Sequence, residues 1–267
     1  EMLSSKILHG QITGSGPVRV WLHGVLSSHL EFKFFAKKVG GTQVLLDARN
    51  HGQSFAYPDT RSISLAKDVI NFLDAHDIQK CSLIGFSLGG HTALQTACNF
   101  PDRIEKLVVM DVLPVDYKLA FPNESRKITD FLQFLKSISL ENTSKEAVLD
   151  KLRPIVNVGN YFDLLDKNLE ETASGLRWKV ALDSIVDAYT NLRDNHITGS
   201  FGGPSLVLLG CESEMTVKQE PNLGKAQDLY AKYLKDFTIE YIPEASHTIH
   251  LQKPRHVVKL ISDFLIK

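Results

Sequence analysis

Residues 81 to 97 read Cys81-Ser82-Leu83-Ile84-Gly85-Phe86-Ser87-Leu88-Gly89-Gly90-His91-Thr92-Ala93-Leu94-Gln95-Thr96-Ala97. A short apolar run, Cys81 to Ile84, enters a Gly-x-Ser-x-Gly turn, and a helical spacing (Leu88, Thr92, Ala93, Ala97) leaves it. By composition alone such a triplet of fixed residues turns up in about one chain in ten of this length, so the motif by itself decides little. Its placement decides more. A tight strand-to-helix turn leaves no room for side chains beside a nucleophile, hence glycine at both flanks, and it lifts the Ser87 hydroxyl above the edge of a sheet. The competing reading is a glycine-rich structural turn with an incidental serine, and the flanking strand and helix weigh against it.

Outward from this point the chain alternates. Val18 to Leu22, Gln43 to Leu46, Lys106 to Met110, Ser205 to Leu209 and Phe237 to Ile242 read as strands, several without polar alternation, as strands covered on both faces should. Leu65, Val69, Phe72 and Leu73 form one helical stripe, with Ser62 or Ser64 as the expected N-cap, and Pro254 opens a closing helix carrying Val257, Val258, Ile261 and Leu265. The fold expected is α/β, a doubly wound and mostly parallel sheet. From about Val112 to Ser200 no strand signal occurs. Helical patterns fill the interval, including Ile128, Phe131, Leu132 and Leu135 on one face and a Thr143/Glu146 capping-box spacing before Val148 and Leu152. The chain therefore divides into a core, residues 1–112 and 201–267, and an all-helical cap inserted at residues 113–200.

Composition excludes several classes. At 267 residues the chain is long enough for one large domain with an insertion, and its formal net charge of -1, from 30 basic and 31 acidic residues, offers no broad cationic face for nucleic acid or anionic lipid. Three cysteines, Cys81, Cys98 and Cys211, without a C-x-x-C spacing argue against a disulfide framework or thiolate zinc site and suit an intracellular, reducing compartment. The first ten residues lack a signal-peptide pattern and no apolar run is long enough to span a bilayer. Gly14-Ser15-Gly16 precedes a strand rather than a helix, so it is no dinucleotide loop.

A serine hydroxyl is a weak nucleophile until a base takes its proton. Of ten histidines, His247 falls in the loop after the last strand, where a doubly wound sheet delivers a loop to its carboxyl edge. His250 lies three residues on; a metal role for the pair lacks a nearby third ligand. The acid that orients the histidine has two sources. Asp111 ends the strand that follows the elbow helix, while Glu212 and Glu214 follow Ser205 to Leu209 in Gly210-Cys211-Glu212-Ser213, a loop in which hydrolases of this kind usually carry Asp at the fourth position. Asp111 is the favoured candidate, with the glutamates kept as alternatives. The oxyanion donors expected are the backbone N–H of Leu88 and that of Val25, in the loop His23-Gly24-Val25-Leu26 after Val18 to Leu22.

Trp21-Leu22-His23-Gly24, Asp47-Ala48-Arg49-Asn50-His51-Gly52-Gln53-Ser54, Gly85 to Gly90, Met110 to Tyr117 and Ser246-His247 together resemble the α/β-hydrolase superfamily. Within it they are similar to the branch of bacterial esterases and mitochondrial abhydrolase-domain-containing protein eleven, with Gly175 to Leu182 resembling that branch's Trp-Arg cap helix. The resemblance implies Asp111 as the acid and a mitochondrial setting. Three departures stand out: Phe86 where the elbow often has His, Ala181 where the cap often has Asn, and Ser246 where Gly usually precedes the histidine. The last predicts strain if that position needs a positive φ. The elbow nucleophile being serine rather than aspartate sets aside dehalogenase and epoxide-hydrolase chemistry.

The expected function is cleavage of a small acyl ester or thioester through an acyl-enzyme, with no metal or organic cofactor. The cap gathers the aromatics Phe121, Phe131, Phe134, Tyr161, Phe162 and Trp178, of which Phe121, Phe134 and Trp178 are the foremost substrate-binding candidates; the competing reading is that most of them form the cap's own core. The alternative is a catalytically weak protein of the same fold acting as a binding or scaffold subunit of a larger assembly. A monomer or small homo-oligomer is expected otherwise.

Overall fold

The computed structural model describes residues 6–120, 122–156, 159–190 and 196–266. Its main sheet is built from β1 (Gly10–Thr13), β2 (Val18–Leu22), β3 (Thr42–Leu46), β4 (Cys81–Phe86), β5 (Ile104–Met110), β8 (Phe201–Gly210) and β9 (Leu234–Ile242), while β6 (Leu169–Thr172) and β7 (Gly175–Trp178) pair separately. The strand order is β1-β3-β2-β4-β5-β8-β9, parallel throughout except for the antiparallel edge β1. The chain winds from β2 outward to β3, then crosses back to place β4 on the other side of β2. That reversal is a topological switch point, and it opens a crevice beyond the carboxyl ends of β2 and β4.

Helices of eight or more residues among those described are α1 (Ser62–Ala75), α2 (Leu88–Asn99), α3 (Pro122–Ser137), α4 (Lys145–Leu152), α5 (Gly159–Asn168), α6 (Leu182–Thr190) and α7 (Pro254–Ile266). Successive strand residues point to opposite faces. Val20, Leu22, Val44, Leu46, Leu83 and Val109 face one buried cluster with α1 and α2, whereas Trp21, Leu45, Ile84, Val108, Met110 and Leu208 face a second with α7. Both faces being covered explains why these strands read as unbroken apolar runs. A third cluster lies in the segment between β5 and β8, where Leu132, Leu135, Val148, Leu152, Leu165 and Ile185 pack together with Leu26 from the loop after β2.

Four expectations need correction. The interval between β5 and β8 is not all helical, because β6 and β7 form a hairpin with Gly175 at φ +119. Gly175 to Trp178 is thus a strand, not a cap helix: Arg177 sits opposite Glu170, and their side chains pair at 2.6 Å. The N-cap of α1 is Arg61, not Ser62 or Ser64, since the Asp59 carboxylate gathers the Arg61 N–H, its guanidinium and the Ser64 hydroxyl. Helix α4 is capped by Ser144, whose hydroxyl accepts from the Ala147 N–H, while the Thr143 hydroxyl turns back to Glu141. The short edge strand β1 had no expectation at all.

Candidate active site

Ser87 sits at φ 53, ψ -115 between β4 and α2, a left-handed backbone that a non-glycine residue holds only when its surroundings enforce it. The enforcement is visible. A Cβ on Gly85 would lie 2.2 Å from the Gly89 carbonyl oxygen, and one on Gly89 would lie 2.0 Å from that of Leu22. The backbones of β2, β4 and α2 therefore close on each other in a way that only glycine permits. The Ser87 N–H donates to the Met110 carbonyl at 3.0 Å, fixing the turn to the end of β5.

The Ser87 hydroxyl lies 3.1 Å from His247 Nε2, and His247 Nδ1 lies 2.7 Å from Asp111 Oδ2. Asp111 is fully buried, and its carboxylate also accepts from the Gly210 N–H at 2.8 Å, the Ser213 hydroxyl at 2.6 Å and the Thr216 hydroxyl at 2.9 Å. Four donors compensate a charge that burial would otherwise penalise. Glu212 and Glu214 are exposed and pair with Lys218 at 3.4 and 3.1 Å, so the structure brings Asp111, not either glutamate, to the histidine. Ser213, at the fourth position of that loop, donates its hydroxyl to Asp111, which lies directly after β5. Ser246 has no positive φ; the left-handed residue of that loop is Glu244, so the anticipated strain at Ser246 is absent. His250 is wholly buried and pairs with Glu31 Oε1 at 3.1 Å, away from Ser87.

Val25 and Leu88 both line the cavity that Ser87 enters. The Gly24–Val25 peptide is held from behind: His23 Nδ1 lies 2.7 Å from the Gly24 carbonyl oxygen. His23 Nε2 accepts from the Ala48 N–H at 3.0 Å, which leaves the ring proton on Nδ1 as donor. In a trans peptide the N–H points opposite the C=O, so this bond aims the Val25 N–H away from His23. Burial holds the His23 imidazole below its ordinary pKa, against the pull of Glu31, and keeps it neutral in this role. On either side, the Gly24 N–H donates to Glu31 Oε2 at 2.9 Å and the Leu26 N–H to His51 Nε2 at 3.1 Å. Burial works to raise the Glu31 carboxyl, yet bonding to His250 and Gly24 leaves it below the ordinary range.

The cavity above Ser87 encloses about 420 Å³ and is walled mainly by Leu26, Val112, Ile128, Phe131, Leu132 and Met215. Of the expected cap aromatics, Phe134 and Trp178 do not line it: both pack against the third cluster, between β5 and β8. Phe121 lies outside the described residues. Phe131, on the same helix α3, takes the lining position. Its neighbour in the helical stripe, Ile128, joins it there, a face that sequence periodicity indicates without saying which of two sides meets the cavity.

A serine, a histidine and an aspartate in this order and at these distances can pass a proton from hydroxyl to imidazole while a carboxylate holds the resulting charge. The chain belongs to the α/β hydrolase fold family, whose description as "alpha/beta hydrolase fold" matches residues 7–254. Among its relatives, "sn-1-specific diacylglycerol lipase ABHD11" of Danio rerio is 30% identical, covering 94% of this chain and 79% of that protein. "Esterase YbfF" of Escherichia coli is 24% identical over 92% of each chain. A solved "Marine microorganism esterase" superposes with a TM-score of 0.83 at 28% identity, covering 97% of this chain and all of that one. One of these relatives is thus named a lipase and two are named esterases.

Proposed function

We propose that the protein is a serine hydrolase that cleaves carboxylic esters or thioesters through an acyl-enzyme. The observation that carries the reading is the continuous path from the Ser87 hydroxyl through His247 to the buried Asp111 carboxylate. Ser87 Oγ attacks the acyl carbon as His247 Nε2 takes its proton; the Val25 and Leu88 N–H groups receive the oxyanion. The imidazolium then protonates the departing alkoxide or thiolate, leaving the acyl group on Ser87. Water attacks that ester with His247 again as base, and collapse of the second intermediate returns the proton to Ser87.

The apolar walls of the cavity favour an acyl chain over a polar substituent, and the names of the lipase and esterase relatives agree with that preference. Residues 113–200 serve as the lid over Ser87, on a core formed by residues 1–112 and 201–267. Exposure to a fluorophosphonate probe tests the reading: labelling at Ser87, together with hydrolysis of a short p-nitrophenyl ester that disappears in Ser87→Ala, is expected. Folded protein that leaves Ser87 unlabelled refutes it.

A further inference from the structure

Away from Ser87, three metal-ligating groups converge where β1 begins and β3 ends. His9 Nδ1 lies 2.9 Å from Asp47 Oδ2, His29 Nδ1 lies 2.9 Å from Asp47 Oδ1, and the ligand atoms of all three lie within 4.8 Å of one another. We propose that His9, His29 and Asp47 form a binding site for a divalent transition-metal ion of the zinc class.

The donor set is two imidazole nitrogens and a carboxylate, which zinc takes as three protein ligands with a water in the fourth position. Around a tetrahedral ion with bonds of ~2.0–2.1 Å, ligand atoms stand about 3.3–3.4 Å apart. The two 2.9 Å contacts run to different oxygens of Asp47 and no pair of ligand atoms is more than 4.8 Å apart, so around one ion these contacts must open by about half an ångström and the widest pair must close by at most about 1.5 Å, which rotation of the imidazoles can supply.

The three residues are also held in place by their backbones. The Asp47 N–H donates to the His9 carbonyl at 3.0 Å, and the His29 N–H donates to Asp47 Oδ1 at 2.7 Å. The Gln53 N–H supports Oδ2 at 3.0 Å, an outer-shell bond of the kind that orients ligating carboxylates. Asp47 is fully buried, whereas the His9 side chain is 31% exposed, so an ion has a way in and its water ligand has a way out. These bonds draw on none of the groups assigned to hydrolysis. An ion here would tie together β1, the turn that follows the His23–Leu26 loop, and the end of β3.

The test uses the full chain, stripped with EDTA and titrated with zinc chloride in a buffer that does not chelate, followed by calorimetry and by melting temperature. One equivalent of zinc per chain, with a raised melting temperature, is expected. His9→Ala and His29→Ala, checked for native circular dichroism, should each weaken uptake by more than the ~100-fold that is the upper end for loss of an outer-shell partner. The absence of saturable uptake near one equivalent would overturn the proposal and leave two histidines that merely hydrogen-bond an aspartate. Equal uptake by wild type and both variants would overturn it too, by placing the zinc elsewhere. Neither readout depends on esterase activity.

Discussion

Replacing Glu31 should disturb both stability and turnover, in an order set by hydrogen-bond chemistry. Its buried carboxylate accepts from the Gly24 N–H and from His250 Nε2, joining the loop after β2 to the short helix Ile249–Gln252 that follows His247. Glu31→Ala leaves both partners buried and unmet, about 1–3 kcal/mol each, partly offset because a buried charge is also removed. A net loss of roughly 3 kcal/mol follows, or ~6–12 °C in melting temperature for a chain of this size. Glu31→Gln is not neutral either. Its amide can accept from Gly24 and donate to His250 Nε2 only if the ring proton moves to His250 Nδ1, a buried atom with no partner among the described residues. The glutamine variant should therefore fall between, about 1–2 kcal/mol below wild type. Urea unfolding measures the stabilities. Hydrolysis of p-nitrophenyl butyrate should show kcat falling in the same order with little change in KM, since the disturbed groups adjoin the Val25 N–H and His247 rather than the apolar walls of the cavity. Wild-type stability in the alanine variant, or a glutamine variant no better than alanine, would refute this account of the bridge.

Asp111→Asn should lower kcat by about 10⁴, whereas Glu212→Gln and Glu214→Gln should leave it within about twofold; full activity in the aspartate variant would remove Asp111 from its assigned role. Gly89→Ala, whose added Cβ meets a backbone oxygen at 2.0 Å, should destabilise by about 3 kcal/mol or more, read from the urea midpoint. Stability should fall on acidification in two stages. His23 is held neutral by burial, below its ordinary pKa, so its contribution is full above about 6.5 and drains away below that. Glu31 and Asp47, kept below the ordinary carboxylate range by their donors, contribute above about 4 and fail as pH drops through their lowered values. Asp68, raised by burial despite its Arg49 partner, acts in the opposite sense; urea midpoints independent of pH between 4 and 8 would contradict the net prediction. Burial pushes the thiols of Cys81 and Cys98 up to about 12, so iodoacetamide on native protein should modify Cys211 alone, as peptide mass mapping would show.

The parts of this molecule that the sequence makes legible are those encoded over a few residues. The elbow is written in six consecutive positions, with backbone crowding that forbids a Cβ at Gly85 and at Gly89, and His247 follows from its loop. Strand ends offer carboxylates at both Asp111 and Glu212 or Glu214, so spacing alone favours Asp111 without excluding the glutamates, and it is the family resemblance that implies Asp111. What decides it is Ser213 and Thr216 converging on Asp111 across more than 100 positions, the Ser213 bond alone having a separation of 102. Glu31 with His250, separated by 219 positions, left no local signal. The cavity-lining aromatics are the least legible, because Phe131 and Phe134 lie on one helix and differ only in which side meets the cavity. An amphipathic stripe reveals that a face is buried, not whether it is buried against protein or against a ligand.

The backbone itself points to the same edge of the sheet. Of the seven described non-glycine residues with positive φ, five follow main-sheet strands directly or by a few residues: Leu26 after β2, Asn50 after β3, Ser87 after β4, Asp111 after β5 and Glu244 after β9. Left-handed backbone costs such residues of order 1 kcal/mol each, so scattered occurrence would be selected against and concentration needs a local cause. Each strand must turn sharply at its carboxyl end to bring a side chain or an N–H to the one crevice created by the switch between β2 and β4. Ser87 and Asp111 are strained so that hydroxyl and carboxylate meet His247 from two different strands. Leu26 and Asn50 turn so that their carbonyls accept from Asn168 and from the Ala181 N–H, docking the β5–β8 segment over the same crevice. The strain is thus distributed over the strand ends that must share one crevice, and the densely packed clusters on both faces of the sheet supply the stability that holds it.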